Sequence, residues 1–232
     1  MIIYGKNAVK EALYAKRKIY KLWLEDKFND DSILKLIEKT TIKTIKTNKG
    51  ELNTLTAQAL HQGIVAEVKD YEYKMLEEVL DIHVRQRFII LDEIQDPHNL
   101  GAILRSAEAS AIDGIIVSKK HQVPLNGTVA KVSSGALEHV NLILVSNIHQ
   151  TITKLQENHV LVVGTDGLAT HDYTQIPNDV SVAIVLGNEG VGIRPLVKRS
   201  CDLLVSIPMK GKVNSLNVSV AAALLMYATL QK

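Results

Sequence analysis

Four stretches of the 232-residue chain concentrate the side chains able to do chemistry. They are DEIQDPHNLGAILRSAEA (92–109), GTDG (164–167), GNEGVG (187–192) and PMKGKVNSLNVSVAAAL (208–224). Each follows a short apolar run, and all are rich in glycine, asparagine, serine or acids. Glycine lets backbone approach a ligand closely, and free N–H groups at helix starts bind anions or base edges. Arg105 falls on a predicted helix among Ala102, Ile103, Leu104 and Ala107. By type and place it is either a surface cation paired with Glu108 or Asp113, or a contact to a bound anion. Glu189, taken alone, reads more readily as a turn residue than as a ligand. Asn217 reads as a first-turn helix residue beside a cap at Ser215 or Asn214.

Several chemistries are excluded by spacing. GNEGVG follows G-x-x-G-x-G rather than the dinucleotide G-x-G-x-x-G, and it comes after the fifth apolar run of its region, not the first. There is no P-loop, no G-x-S-x-G elbow and no H-E-x-x-H. The eight histidines are scattered without metal-ligand spacing, and a lone Cys201 excludes an intramolecular disulfide or a cysteine-clustered zinc site. No metal is expected. Cys201, just before a strand, reads as a small buried apolar group.

The elements that must position these residues are legible from the apolar runs. FIIL (88–91), GIIV (114–117), LILV (142–145), VLVV (160–163), VAIVL (182–186) and LLVSI (203–207) alternate with helix-like pieces at 99–111, 148–157 and 215–230. Continuous apolar strands between helices imply an α/β domain whose parallel sheet is covered on both faces. Ligands then bind beyond the carboxyl ends of the strands, where the four stretches lie. The helix 215–230 is apolar all round, which suits a buried or interface position.

Residues 1–70 form a separate, smaller region. A helix is expected near Asn7–Lys16, a strand at Ile19–Glu25, a helix at Ser32–Lys39 and a strand at Ile64–Val68. Residues 71–86 are polar and read as a linker with a helical turn at 76–80, so the domains are 1–70 and 87–232. Apolar residues make up 46% of the chain, charged residues 22% and aromatics 4%, which excludes a disordered chain and requires an aliphatic core. The first seventy residues carry a charge balance of +4 and the remainder −2. Lys6, Lys10, Lys16, Arg17, Lys18 and Lys21 cluster, which suggests either a polyanion contact or a solvated face. Tyr4 and Tyr20 beside them are candidates for stacking on bases. No apolar run reaches membrane-spanning length and no leader pattern opens the chain, so it is expected to be cytoplasmic.

Taken together, LDEIQDPHNLGAILRSAEA, IVLGNEGVGI and SIPMKGKVNSLNVSVAAALLMY resemble the three signature motifs of the SpoU/TrmH family of RNA 2′-O-ribose methyltransferases, in the SPOUT superfamily. YGKNAVKEAL and HQGIVAEV (61–68) are similar to the substrate-binding domain of bacterial 23S rRNA guanosine-2′-O-methyltransferases. The resemblance implies a parallel-sheet methyltransferase domain with a C-terminal trefoil knot, preceded by a small mixed α/β RNA-binding domain. The knot runs against the general rule on threaded chains and rests on the resemblance alone. S-adenosylmethionine as cofactor, 23S rRNA as partner and a homodimer with the active site near its interface follow in the same way.

Position by position, the resemblance assigns Asn99, Arg105, Glu189 and Asn217 to the catalytic site. It assigns Gly187, Ile207, Ser215 and Leu216 to the cofactor, with Thr165 and Gly167 lining the same cleft. Arg105 is then a general base or a phosphate clamp that orients the ribose, since a guanidinium is a poor base in isolation. A tRNA guanosine enzyme, a resistance-type rRNA adenosine enzyme and a non-catalytic RNA-binding assembly protein are the alternatives.

Overall fold

The computed structural model describes residues 1–230 and divides into two compact units. The first contains Met1–Glu72 with Leu100–Arg105 and Pro124–His139; the second contains Tyr73–Asn99, Ser106–Val123 and the chain from Val140 onward.

In the first unit, strands β1 (Ile2–Tyr4), β2 (Ile19–Glu25), β3 (Thr44–Thr47) and β4 (Ile64–Val68) form a sheet in the order β1-β4-β2-β3. β4 runs antiparallel to β1 and β2, while β3 is parallel to β2. Helices α1 (Lys6–Tyr14), α2 (Asp31–Glu38) and α3 (Lys49–Leu55) accompany it. Asp30 and Asn48 cap α2 and α3 by accepting the N–H groups of Ile33 and Glu51. β1, β3 and α3 have no clear sequence signal. The strands are too short for a period, and α3 (KGELNTL) depends on its cap rather than on helix propensity.

Two expectations for the basic cluster are corrected here. Arg17 is not a surface cation: its side chain is 9% exposed and pairs with Glu138, itself 6% exposed, at 2.6 Å. Its Nε and Nη2 also donate to the Lys69 carbonyl. Tyr4 is buried, and its hydroxyl lies 3.1 Å from Thr128 Oγ1, so it offers no face to a base. Tyr20 remains half exposed with the Lys18 ammonium over its ring, and Lys10 and Lys21 lie over Tyr14 and Trp23.

In the second unit every apolar run is a strand. These are β5 (Arg87–Asp92), β6 (Gly114–Ser118), β7 (Leu142–Val145), β8 (Leu161–Thr165), β10 (Val182–Gly187) and β11 (Leu203–Ser206), with a two-residue β9 (His171–Asp172) on one edge. All neighbours are parallel, in the order β7-β6-β5-β10-β8-β11-β9. β5, β6 and β10 are buried along their whole length, as strands covered on both faces must be.

The helices are α4 (Pro97–Ala109), a short α5 (Gly127–Val132), α6 (Ile148–Glu157), α7 (Pro195–Arg199) and α8 (Val218–Ala228). α5 belongs to the first unit, as do residues 100–105 of α4. The chain returns to place β10 between β5 and β8, and β11 between β8 and β9.

The stretch expected as a linker is docked against this second sheet. The Lys74 N–H donates to the Leu142 carbonyl and the Lys74 carbonyl accepts from Leu144, adding a parallel bridge at the β7 edge. Leu76, in a 3-10 turn (Leu76–Glu78), is buried in the sheet's core. α8 begins at Val218, three residues later than its apolar pattern suggests, because the preceding loop stays extended up to its cap.

The Arg17–Glu138 pair yields a prediction. Desolvation, opposed by Arg17, holds the Glu138 carboxyl above its usual range. Arg17→Ala leaves that carboxylate buried and unpaired and should cost about 3 kcal/mol of stability. With the folded-state value raised, the loss should grow as pH rises above the unfolded carboxylate's range. Arg17→Met/Glu138→Leu should recover most of it. Urea melts at pH 5 and 8 check this; a single variant as stable as the parent at pH 8 would refute it.

Candidate active site

The site is assembled at the carboxyl ends of β5, β8, β10 and β11. β5 ends in Asp92, whose side chain is completely buried. Its Oδ1 accepts from Arg194 Nε and Nη2 at 2.9 and 2.7 Å, and its Oδ2 from the Arg194 backbone N–H at 3.0 Å. Arg194 Nη1 also meets Glu93 at 3.1 Å, and Asn188 Nδ2 donates to the Glu93 carbonyl. The loop after β10 is thereby tied to the loop after β5. Asp92 and Arg194 carry no motif signal of their own. An acidic pair directly after a buried strand, and a lone arginine closing GNEGVGI, are the only hints in the sequence.

Gly187 ends β10. A Cβ built there would fall deep inside contact with the Gly192 carbonyl carbon and the Ile193 nitrogen. Backbone bonds between Asn188 and Gly192, at 2.8 and 3.2 Å, close the loop over that point. Only glycine fits, for reasons of space rather than of φ.

α4 starts behind an Asp96 cap with Pro97 at its first position. This places Asn99 in the first turn, 7% exposed. Asn99 Nδ2 donates to Glu189 Oε1, and Asn99 Oδ1 accepts from Asn217 Nδ2 at 3.0 Å. Asn217 Oδ1 in turn accepts from the N–H and the hydroxyl of Ser219, capping α8. One residue from each motif is thus joined in a single relay, and Asn217, expected in the first turn beside a cap, is itself the cap of α8. Ser215 is not the cap; it is exposed in the loop, and among the described residues its hydroxyl reaches only Asn214.

Beside the relay opens a cleft of about 790 Å³. Thr165, Gly167, Gly187, Glu189, Ile207, Ser215 and Leu216 all line it. Leu186, Val205, Val218 and Leu225 give it apolar walls, and Asp166 and Lys212 give it charge. Asp166 is held low in pKa by Lys198 and by the Leu168 N–H. Thr165 donates its hydroxyl to the Val185 carbonyl at 3.0 Å, which leaves its oxygen free to accept. Arg105 is exposed, six residues beyond Asn99 along α4, and among the described residues no ion pair or hydrogen bond joins its side chain to the relay. Cys201 is half-buried, with its thiol pushed up to about 12 by desolvation, and plays no part in the cleft. No group of three or more potential metal ligands occurs among the described residues.

This arrangement has known counterparts. Residues 86–227 match the SpoU rRNA methylase family, and residues 2–74 match an RNA 2′-O-ribose methyltransferase substrate-binding family. The chain belongs to the SpoU/TrmH family. The YacO protein of Bacillus subtilis, named as a TrmH-family tRNA/rRNA methyltransferase, is 41% identical over 99% of this chain and 95% of its own length. The SpoU methyltransferase AviRb of Streptomyces viridochromogenes, solved with AdoMet, shares the fold with a TM-score of 0.84 at 22% identity, over 99% of this chain and 88% of that one. An rRNA methyltransferase of Sinorhizobium meliloti gives 0.81 at 25% identity, over 98% of this chain and 85% of that one.

The protein is an S-adenosylmethionine-dependent RNA 2′-O-ribose methyltransferase. The methyltransferase cleft suits that cofactor: its volume is within the range of about 300–1,000 Å³ usual for such ligands. Apolar walls can hold the adenine, and charges of both signs are available for the zwitterionic methionyl group. Gly187→Ala should then weaken S-adenosylmethionine binding at least tenfold, roughly 1.4 kcal/mol, because the loop must move to admit one methyl group. Isothermal titration checks it, and parent-like affinity would place the cofactor away from this loop.

Proposed function

We propose that the enzyme methylates the ribose 2′-hydroxyl of a guanosine in 23S rRNA, acting in the cytoplasm as a homodimer. The observation that carries the site assignment is the Glu189–Asn99–Asn217 relay beside the cleft. A ribose hydroxyl is a weak nucleophile, so its oxygen must be aligned with the methyl group and its proton must leave. The cofactor supplies an electrophilic methyl on sulfonium. The chain must hold the ribose and manage the proton.

In this reading Arg105, exposed and without an ion pair or side-chain hydrogen bond among the described residues, meets RNA. It either clamps a phosphate or takes the 2′-hydroxyl proton. Glu189, fixed by Asn99, and Asn217 position the ribose. Thr165, Gly167, Gly187, Ile207, Ser215 and Leu216 hold the cofactor. Support for rRNA comes from the SpoU rRNA methylase match over residues 86–227 and from the likeness to the S. meliloti rRNA methyltransferase. Val220, Leu224 and Tyr227 leave an apolar face of α8 exposed, which supports a two-fold interface. No helix among the described residues is long and apolar enough to cross a membrane.

Arg105→Ala should lower 2′-O-methylation at least about a hundredfold while leaving S-adenosylmethionine affinity unchanged. Arg105→Lys should keep measurable turnover if the residue is a point-charge clamp, and none if it is a bidentate or proton-accepting group. The readout is ribose resistance to alkaline cleavage, mapped on 23S rRNA with tRNA alongside. Parent-like turnover by Arg105→Ala removes the proposed mechanism, and modification of tRNA alone or of an adenosine removes the proposed substrate.

A further inference from the structure

The first unit contains a recess that neither the cleft nor the relay uses. It opens between β2, α3 and the loop leading into β4, and its volume is about 420 Å³. That is small within the range of about 300–1,000 Å³ for ligand sites, the size for one nucleoside rather than a longer segment. Its wall is fixed by an unusual backbone: Ala57, Gln58, Gln62 and Gly63 all have positive φ, between 50° and 80°.

His61 anchors the floor. Buried to 4% exposure, its Nδ1 accepts from the Gly63 N–H at 3.0 Å. The ring proton must therefore sit on Nε2, which donates to Asn53 Oδ1 at 3.0 Å. Burial pushes the His61 pKa down, so the ring stays neutral. Asn53 is turned by this bond, and its Nδ2 amino group has no protein partner among the described residues. Glu25, at the end of β2, lines the same recess, and its carboxylate has no hydrogen bond or ion pair among the described residues. Gly63 keeps that carboxylate accessible: a Cβ there would lie 3.1 Å from Glu25 Oε2. Lys49 supplies a further donor, and Leu60, 76% exposed, presents apolar surface.

We infer that this recess takes an unpaired guanine base of the RNA substrate, with Glu25 accepting from its N1–H and N2 amino group and Asn53 or Lys49 donating to O6. Among the four bases only guanine offers two adjacent donors beside an acceptor on its Watson–Crick edge. Adenine would set its N1 lone pair against the carboxylate, and RNA-binding modules commonly read splayed-out bases by such edges. The Leu60 side chain covers the face of the base. The inference rests on the assignment of RNA as substrate and makes Glu25 a specificity-determining residue of the first unit.

The test uses the full chain and fluorescein-labelled RNA hairpins of one stem, with loops of uridine carrying a single central guanosine, inosine, adenosine or uridine. The parent should bind the guanosine loop about tenfold tighter than the adenosine or uridine loop, the worth of one bidentate base contact. Inosine, which lacks the N2 amino group, should fall between. Glu25→Gln should erase the preference and leave the uridine-loop affinity, the melting temperature and S-adenosylmethionine binding as in the parent. Equal affinity of the parent for all loops, a preference that survives Glu25→Gln, or an equal loss for every loop would each overturn the inference. Methyl transfer to rRNA, assayed separately, distinguishes these failures from a failure of the functional reading. A parent that methylates rRNA but shows no loop preference loses only the recess.

Discussion

The buried carboxylate of Asp92 is the constraint on which the catalytic unit depends. A side chain with no exposure must have every acceptor site answered, because an unpaired buried charge costs several kcal/mol. Arg194 answers it with two side-chain donors and one backbone donor. That requirement draws the residue after GNEGVGI back to the end of β5, across about a hundred positions of sequence. Gly187 then has to pass beneath Gly192 without a side chain, and Glu189 is presented beside the start of α4. The cleft wall and the relay both follow from satisfying one acid.

The relay extends the same logic to the third motif. Asn99 is nearly buried and uses both ends of its amide, one toward Glu189 and the other toward Asn217. Asn217 has only its oxygen left, and this caps α8. The geometry of the relay and helix nucleation are therefore coupled: the first turn of α8 and the position of Glu189 respond to the same two amides. Groups so arranged are held in place by the fold itself, which lowers the ordering cost of any ligand contact they make.

The first unit shows burial working in the opposite sense. Arg17, in the middle of the basic cluster, is withdrawn into a pair with Glu138 and becomes a structural residue. Lys6 pairs with Asp30, and the remaining lysines of the cluster lie over aromatic rings or in solvent, where they can contribute to a diffuse positive field. Long-range attraction for RNA and base-specific contacts are thus separable within this unit, the former spread over surface lysines and the latter available in the recess beside His61.

What the sequence determined by itself was the layered α/β character of residues 87–230 and the places where chemistry could occur. Strands buried on both faces have to be continuously apolar, and six such runs stand out against polar loops. The residues after those runs were identifiable for the same reason. Tertiary structure decided which of them meet. Nothing local links Asp92 to Arg194 or Asn99 to Asn217, since those contacts depend on strand order, and β10 enters between β5 and β8 only in the folded sheet. The burial of Tyr4 and Arg17 has no local signature, because residue type and local charge carry no information about a partner more than a hundred residues away. Helix α8 starts three residues after its apolar pattern does because hydrophobic pattern reports burial, whereas the start of a helix is set by whichever side chain satisfies its first N–H groups.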